Sequence, residues 1–244
     1  MKNIFAFDSA VSYQEDHWKQ RKRSVDMSEE DALPFVTISR EYGCLGYALG
    51  EALAELLNSG RKNERRWDLY DRNLLDRLME DMHLSRELAE TLTSRAQSSM
   101  EDYLKIVLSN YPPEVMVYKK LIETIRTIAA NGHAIIIGRV GNVITRDMPR
   151  GFHVRLIAGE EKKIDNLGKL CGLSHQEAKK VLAEKGDVRD QFILKRLKVD
   201  ISDPHLYDLV INATHYTSEG MARLILAGMR SAGIELPAAR KRRM

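Results

Sequence analysis

The sequence predicts a three-layer α/β fold built on a mostly parallel sheet of five short strands. Two observations predict it. Five short apolar runs, at 35–39, 67–71, 134–139, 152–158 and 207–212, alternate with stretches whose apolar residues recur at helical spacing. One of these runs, Ala134-Ile135-Ile136-Ile137, is apolar without a break, which suits a strand covered by helices on both faces.

The first strand, Phe35-Val36-Thr37-Ile38-Ser39, feeds a turn punctuated by Gly43 and Gly46. A helix follows, with Ala48, Leu49, Ala52, Leu53, Leu56 and Leu57 on one face and Glu51 and Glu55 off it. A polar run over 58–66 leads to a second strand, Trp67-Asp68-Leu69-Tyr70-Asp71, which ends in a carboxylate. Residues 73–82 and 85–95 read as helices, with Ser85 as a cap. Pro112-Pro113 interrupts the chain. An amphipathic helix over 114–131 then carries Val117, Leu121, Ile125 and Ile128 in one stripe, closed by Asn131-Gly132. The third strand, 134–139, ends in Gly138-Arg139. After the fourth strand come helices at 160–171, 175–184 and 185–199. A last helix over 218–232 follows the fifth strand and ends at Gly233.

The chain is 244 residues long, 43% hydrophobic and 30% charged, enough for one ordinary domain. Its net charge is +3. Arg240, Lys241, Arg242 and Arg243 supply four positive charges, so +3 less four leaves the body at −1. The basic footprint is therefore local to the tail at 234–244, and nucleic-acid binding is not expected as the main function. Residues 1–34 read as a poorly ordered arm, with Phe5, Phe7 and Trp18 available to a protein partner. The domain proper spans 35–233. Cys44 and Cys171 lie far apart and form no CxxC, so neither a disulfide framework nor a zinc site is expected. The seven histidines show no metal spacing. Cys44 sits in the turn before a helix and reads as a small turn residue, because no His or Asn arrangement singles it out; a thiol with its pKa lowered by the helix N-terminus is the alternative. No apolar run approaches the roughly 20 residues a transmembrane helix needs, and no signal-peptide core stands out. A cytoplasmic protein without membrane contact is the expectation.

A strand, a glycine turn and a helix N-terminus together form the usual frame of a phosphate site, because the first-turn N–H groups face outward. The loop departs from the Walker pattern: Tyr47 and Ala48 follow Gly46 where Lys and Ser/Thr would stand. An ordinary strand-to-helix connection is the alternative at this point. The fold strengthens the case for a site, because ligands of such sheets bind beyond the carboxyl ends of the strands. Ser39, Arg40 and Glu41 follow the first strand, Asp71 and Arg72 the second, and Arg139 and Asn142 the third. Arginines gathered there suit a phosphorylated ligand. Three of these positions keep a structural alternative: Arg40 as partner of Glu41 or Asp71, Asp71 as cap of the following helix, and Arg139 as a solvated residue at the sheet edge. Arg189 and Arg196, further on, read as the solvated face of a charged helix.

These blocks resemble the cytidylate kinase-like family, a branch of the P-loop nucleoside monophosphate kinases. The resemblance rests on ISREYGCLGYALGEALAELL (38–57), LYDRNLL (69–75), IIIGRVGN (135–142), FHVRLIA (152–158) and YDLVINAT (207–214). It implies a P-loop NTPase-like fold with a helical lid over about 160–200. It implies that Gly43, Cys44, Leu45, Gly46 and Tyr47 hold the donor phosphates, and that Asp71, Arg72, Arg139 and Asn142 contact the monophosphate. Arg40, together with Arg189 and Arg196 of the lid, would act on the transferring group. ATP with Mg²⁺ would be the donor, and no protein ligand to the metal is identified. The implied reaction is phosphoryl transfer from ATP to CMP or a related monophosphate. The loop departs from the family's G-S-G-G-R at Leu45 and Tyr47, and lysines stand at 162 and 163 where the lid would carry arginine. A catalytically impaired nucleotide-binding or regulatory protein is therefore the alternative function.

Overall fold

The computed structural model describes residues 32–59, 65–71, 112–234 and 236. Among them are five strands: β1 (Phe35–Arg40), β2 (Asp68–Tyr70), β3 (Ala134–Ile137), β4 (Gly151–Ile157) and β5 (Leu209–Asn212). They form one sheet in the order β2-β3-β1-β4-β5, and every pairing is parallel. The helices are α1 (Gly46–Asn58), α2 (Pro112–Asn131), α3 (Gly141–Ile144), α4 (Glu160–Cys171), α5 (His175–Leu197) and α6 (Ser218–Ser231).

Strand residues alternate between two cores, as a pleated sheet requires. Val36, Ile38, Ile135, Ile137, Val154 and Leu156 pack with α1 and α6 on one face. Phe35, Tyr70, Ala134 and Ile136 pack with Leu121, Ile125 and Ile128 of α2 on the other. The uninterrupted Ala134–Ile137 run thus feeds both cores, which is why β3 carries no polar residue. A close approach unforeseen in the sequence fixes α1. A Cβ on Gly50 would come within 2.9 Å of the Ile137 side chain, so the helix lies directly on the sheet there.

Boundaries of four elements differ from expectation by more than one residue, each for a local reason. The helix expected from 114 starts at Pro112, because proline suits a first helical turn whose N–H has no partner. β3 stops at Ile137 rather than 139, since Gly138, Arg139 and Val140 all turn left-handed, at φ 73°, 51° and 57°. β5 starts at Leu209, after a short 3₁₀ turn, Pro204–Leu206, capped by Asp203. The two helices expected at 175–184 and 185–199 are one helix, α5. An interior glycine costs a helix only about 1 kcal/mol, so Gly186 does not break it. Ser174 and Glu177 start α5 with a reciprocal capping box.

The helices expected at 73–82 and 85–95, residues 1–31 of the arm, and most of the basic tail lie outside the described residues. Among the described residues, no helix is long and apolar enough to cross a membrane.

Candidate functional site

The sheet order puts the carboxyl ends of β2, β3 and β1 side by side. Tyr70 pairs with Ile136, and Ile137 pairs with Ile38. Arg40, Asp71 and Arg139 therefore leave the sheet along one edge.

After β1 the chain continues along β4, with the Glu41 N–H donating to Leu156 O at 3.0 Å. It then turns back through Gly43, at φ 88°, where a Cβ would lie 2.8 Å from Lys163 Cβ. Only glycine combines that conformation with that contact. Two short bonds close the turn, Cys44 N–H to Glu41 O and Gly46 N–H to Cys44 O, at 3.2 and 2.9 Å. Leu45 caps α1 without a side-chain hydrogen bond, and Gly46 N–H is taken by Cys44 O, so the helix leaves Tyr47 and Ala48 N–H of its first turn to an outside acceptor. Gly46 makes room for Arg40: a Cβ there would sit 2.8 Å from Arg40 Cδ and 3.1 Å from Nε. The Arg40 side chain thus lies across the start of α1.

Leu45 and Tyr47 are exposed, at 38% and 52%. The Tyr47 phenol is pushed above its ordinary range by partial burial, then by the charge and hydrogen bond of Glu51, then by the charge of Asp71. The Tyr47 phenol thus lies within the field of the Asp71 carboxylate at the end of β2. The loop position that the resemblance expects to carry a cation presents a phenol influenced by two carboxylates.

α4 is clamped onto the loop. Lys163 Nζ donates to Glu41 Oε2 at 3.0 Å, and the same oxygen accepts from Ala158 N–H at 3.1 Å. Buried Asn166 donates through Nδ2 to Gly43 O at 2.9 Å. Tyr42 packs into the small core of the α4–α5 hairpin, made of Ile164, Leu167 and Ala178 with Leu173 and Leu182. Lys163, Asn166 and Leu167 are spaced to share one helix face. Lys163 and Asn166 were not anticipated as loop partners. Their helical spacing is visible in the sequence, but what that face covers is not.

The same environment goes against the reactive-thiol alternative for Cys44. Burial, then the Glu41 charge, push its thiol up to about 11, while Lys163, Arg155 and Arg40 pull weakly the other way. The helix N-terminus does not prevail, and the thiol stays protonated near neutrality.

Arg139 is presented by an anchored turn. Gly138 N–H donates to Ile38 O at 3.0 Å, which ties the turn to β1. Left-handed conformations at Arg139 and Val140 cost roughly 1–2 kcal/mol each, and such strain persists only where the surroundings hold it. Those surroundings are on the far side of the turn. Thr145 Oγ1 donates to Gly141 O at 2.8 Å. Arg126 donates to Ile144 O at 2.9 Å and to both oxygens of Asp147 at 2.7 and 3.0 Å. Burial alone would raise the Asp147 carboxyl, but the hydrogen bond and charge of Arg126 hold it below its usual range. Asn142, 2% exposed, points into the fold and accepts from Ser39 Oγ at 3.0 Å. Its Nδ2 has no hydrogen-bond partner among the described residues.

Of the other expected residues, Asp71 directly follows β2 and is half-buried. Arg72 lies outside the described residues. Arg189 and Arg196 fall in the second half of α5. Arg155 is a further unforeseen cation. It is 3% exposed on β4, donates to Tyr207 Oη at 3.3 Å, and lies 5.6 Å over that ring. A charged residue inside an otherwise apolar strand was the sequence signal for it. Among the described residues, no three His, Cys, Asp or Glu side chains cluster to hold a metal ion.

A sequence model of the cytidylate kinase-like family matches residues 35–215. The crystal structure of an uncharacterized protein from Eubacterium ventriosum ATCC 27560 superposes with a TM-score of 0.62 at 18% identity. That likeness covers 81% of this chain and 98% of the other, and it supports the fold. A shikimate kinase from Bacteroides thetaiotaomicron gives a TM-score of 0.39 at 18% identity, over 82% of this chain and 96% of its own. None of the curated proteins matches the sequence.

Proposed function

The chain belongs to the cytidylate kinase-like family, and on that premise we propose that it moves a phosphoryl group from ATP to CMP or a related nucleoside monophosphate. The observation that carries this reading is the shared edge. A parallel sheet in the order β2-β3-β1-β4-β5 gathers the Gly43–Gly46 loop, Asp71 and Arg139 at adjacent strand ends.

Phosphoryl transfer asks a protein for in-line positioning and charge neutralisation rather than a covalent nucleophile. In this chain, the Gly43–Tyr47 loop would hold the donor phosphates through the backbone donors that its own turn bonds leave over, with Arg40 lying over the first turn of α1. Arg139, Asp71 and Arg72 would hold the monophosphate. Buried Asn142 would act behind Arg139 by fixing the turn to Ser39. Arg189 and Arg196 of α5 would bring positive charge to the transferring group as the hairpin settles over the donor. The metal would enter as MgATP, part of the substrate. Ala48 stands where a Walker loop carries its metal-binding hydroxyl.

A second reading, a nucleotide-binding protein with impaired turnover, is favoured by one observation. Tyr47, hydrogen-bonded to Glu51 and near Asp71, stands in place of the loop cation. A group that stabilises transferring charge is worth roughly 3–4 kcal/mol to the rate, so its loss slows catalysis while leaving binding.

Calorimetric titration tests the site that both readings share. Binding of MgATP and of CMP, with the CMP heat weakened in Arg139→Ala, is expected. No heat with either nucleotide class would overturn both.

A further inference from the structure

A cleft of about 270 Å³ opens between the loop after β1 and the α4–α5 hairpin. Glu41 and Tyr42 line it from the loop, Glu160 and Lys163 from α4, and Lys179 and Leu182 from α5. It falls below the roughly 300–1,000 Å³ usual for a drug-sized organic ligand, so it suits a fragment of a ligand. Its charges are two lysines and two glutamates, already paired. Lys179 and Glu160 sit 3.8 Å apart and are about 60% exposed, a contact worth little. Lys163 and Glu41 differ: the distance is 3.0 Å, and the side chains are 19% and 29% exposed.

Building on the donor half of the phosphotransferase reading, we propose that this cleft is a polyphosphate site in which Lys163 supplies the cation missing from the loop and Glu41 competes with the ligand for it. Three observations carry this. The stem of Lys163 rests on Gly43, so its ammonium is held beside the loop by packing as well as by charge. Glu41 keeps a second donor, Ala158 N–H, and so retains a hydrogen bond when Lys163 turns to another anion. The cleft is neutral as it stands, so an entering anion must displace a carboxylate. A chain of several phosphates brings enough charge for that exchange, and a single phosphate brings much less. Glu41 thereby acts as a gate, a competitor that an entering polyphosphate must displace from Lys163 on this side of the loop.

The test titrates inorganic tripolyphosphate into the wild-type chain, Glu41→Gln and Lys163→Met. Glutamine keeps an acceptor for Ala158 N–H, and methionine keeps the stem on Gly43, so both should fold; thermal melts check it. Glu41→Gln should tighten tripolyphosphate binding about three- to tenfold, the scale of a partly exposed ion pair and its repulsion. Lys163→Met should weaken binding by at least as much. Unchanged or weaker binding in Glu41→Gln overturns the gate, and unchanged binding in Lys163→Met overturns the assignment of Lys163. Orthophosphate should bind weakly to all three chains; tripolyphosphate binding no tighter than orthophosphate also overturns the proposal. A parallel ATP titration separates the sources. Shifts in step with tripolyphosphate mean the nucleotide's phosphate chain enters the cleft, and shifts confined to tripolyphosphate mean a free polyphosphate does. CMP binding, measured alongside, depends on Arg139, so its loss with the tripolyphosphate pattern intact counts against the phosphotransferase reading alone.

Discussion

Replacing Gly43 by alanine should destabilise the protein well beyond the ordinary cost of a left-handed alanine. Gly43 has φ 88°, and a Cβ there would lie 2.8 Å from Lys163 Cβ and 3.1 Å from Lys163 O. The conformation alone costs about 1 kcal/mol. The overlap adds roughly 1–3 kcal/mol, because one of the atoms it meets is backbone and cannot swing aside. The total is about 2–4 kcal/mol. For a domain of this size, roughly 3 °C per kcal/mol converts that into a melting point lowered by about 6–12 °C. Gly172→Ala is the matched control. Gly172 is also left-handed, at φ 66°, but a Cβ there meets nothing within 4 Å. It should lose only the conformational part, near 1 kcal/mol. Thermal unfolding by circular dichroism of the two variants measures the difference. Equal losses would show that α4 does not clamp the loop as described.

Three further outcomes follow from the same geometry. Arg139→Ala should weaken CMP binding at least tenfold by calorimetry while shifting the melting point little, since charge-assisted contacts to phosphate carry about 1.4 kcal/mol or more. Ser174→Ala should cost about 1 kcal/mol in thermal unfolding, because Glu177 N–H and Ser174 Oγ form the cap of α5. His153 should make stability fall as pH drops below its ordinary value near 6.5. Burial lowers its pKa in the fold, with Asp208 opposing and Arg146 assisting. The unfolded chain therefore takes up the proton first. The contribution is complete above about pH 6.5 and is lost as pH falls through the folded value. Denaturant unfolding between pH 7.5 and 5 checks this, and His153→Gln should flatten the slope.

The sheet was legible in the sequence because its central strands are apolar on both faces. Ala134–Ile137 could only be buried, and alternation with helical periodicity made parallel pairing the economical arrangement. The convergence of Arg40, Asp71 and Arg139 followed from that topology. What was not legible came from contacts distant in sequence. Glu41 and Lys163 meet across 122 positions, and nothing in either stretch announces the other. The burial that raises the Cys44 thiol comes from that same packing, which its position before a helix does not show. Local chemistry misled at Gly186, where a tolerated interior glycine resembled a break. It also misled at the end of β3, where Arg139 and Val140 take a conformation that non-glycine residues seldom adopt.

The central claim is that this edge transfers phosphoryl groups, and the direct measurement is label transfer from ATP carrying a radioactive γ-phosphate to CMP. Labelled CDP formed in proportion to the protein, and reduced in Arg139→Ala, is the predicted result. ATP and CMP both bound, with no labelled diphosphate from CMP or any other monophosphate, would contradict it and leave a nucleotide-binding protein whose loop has lost its chemistry.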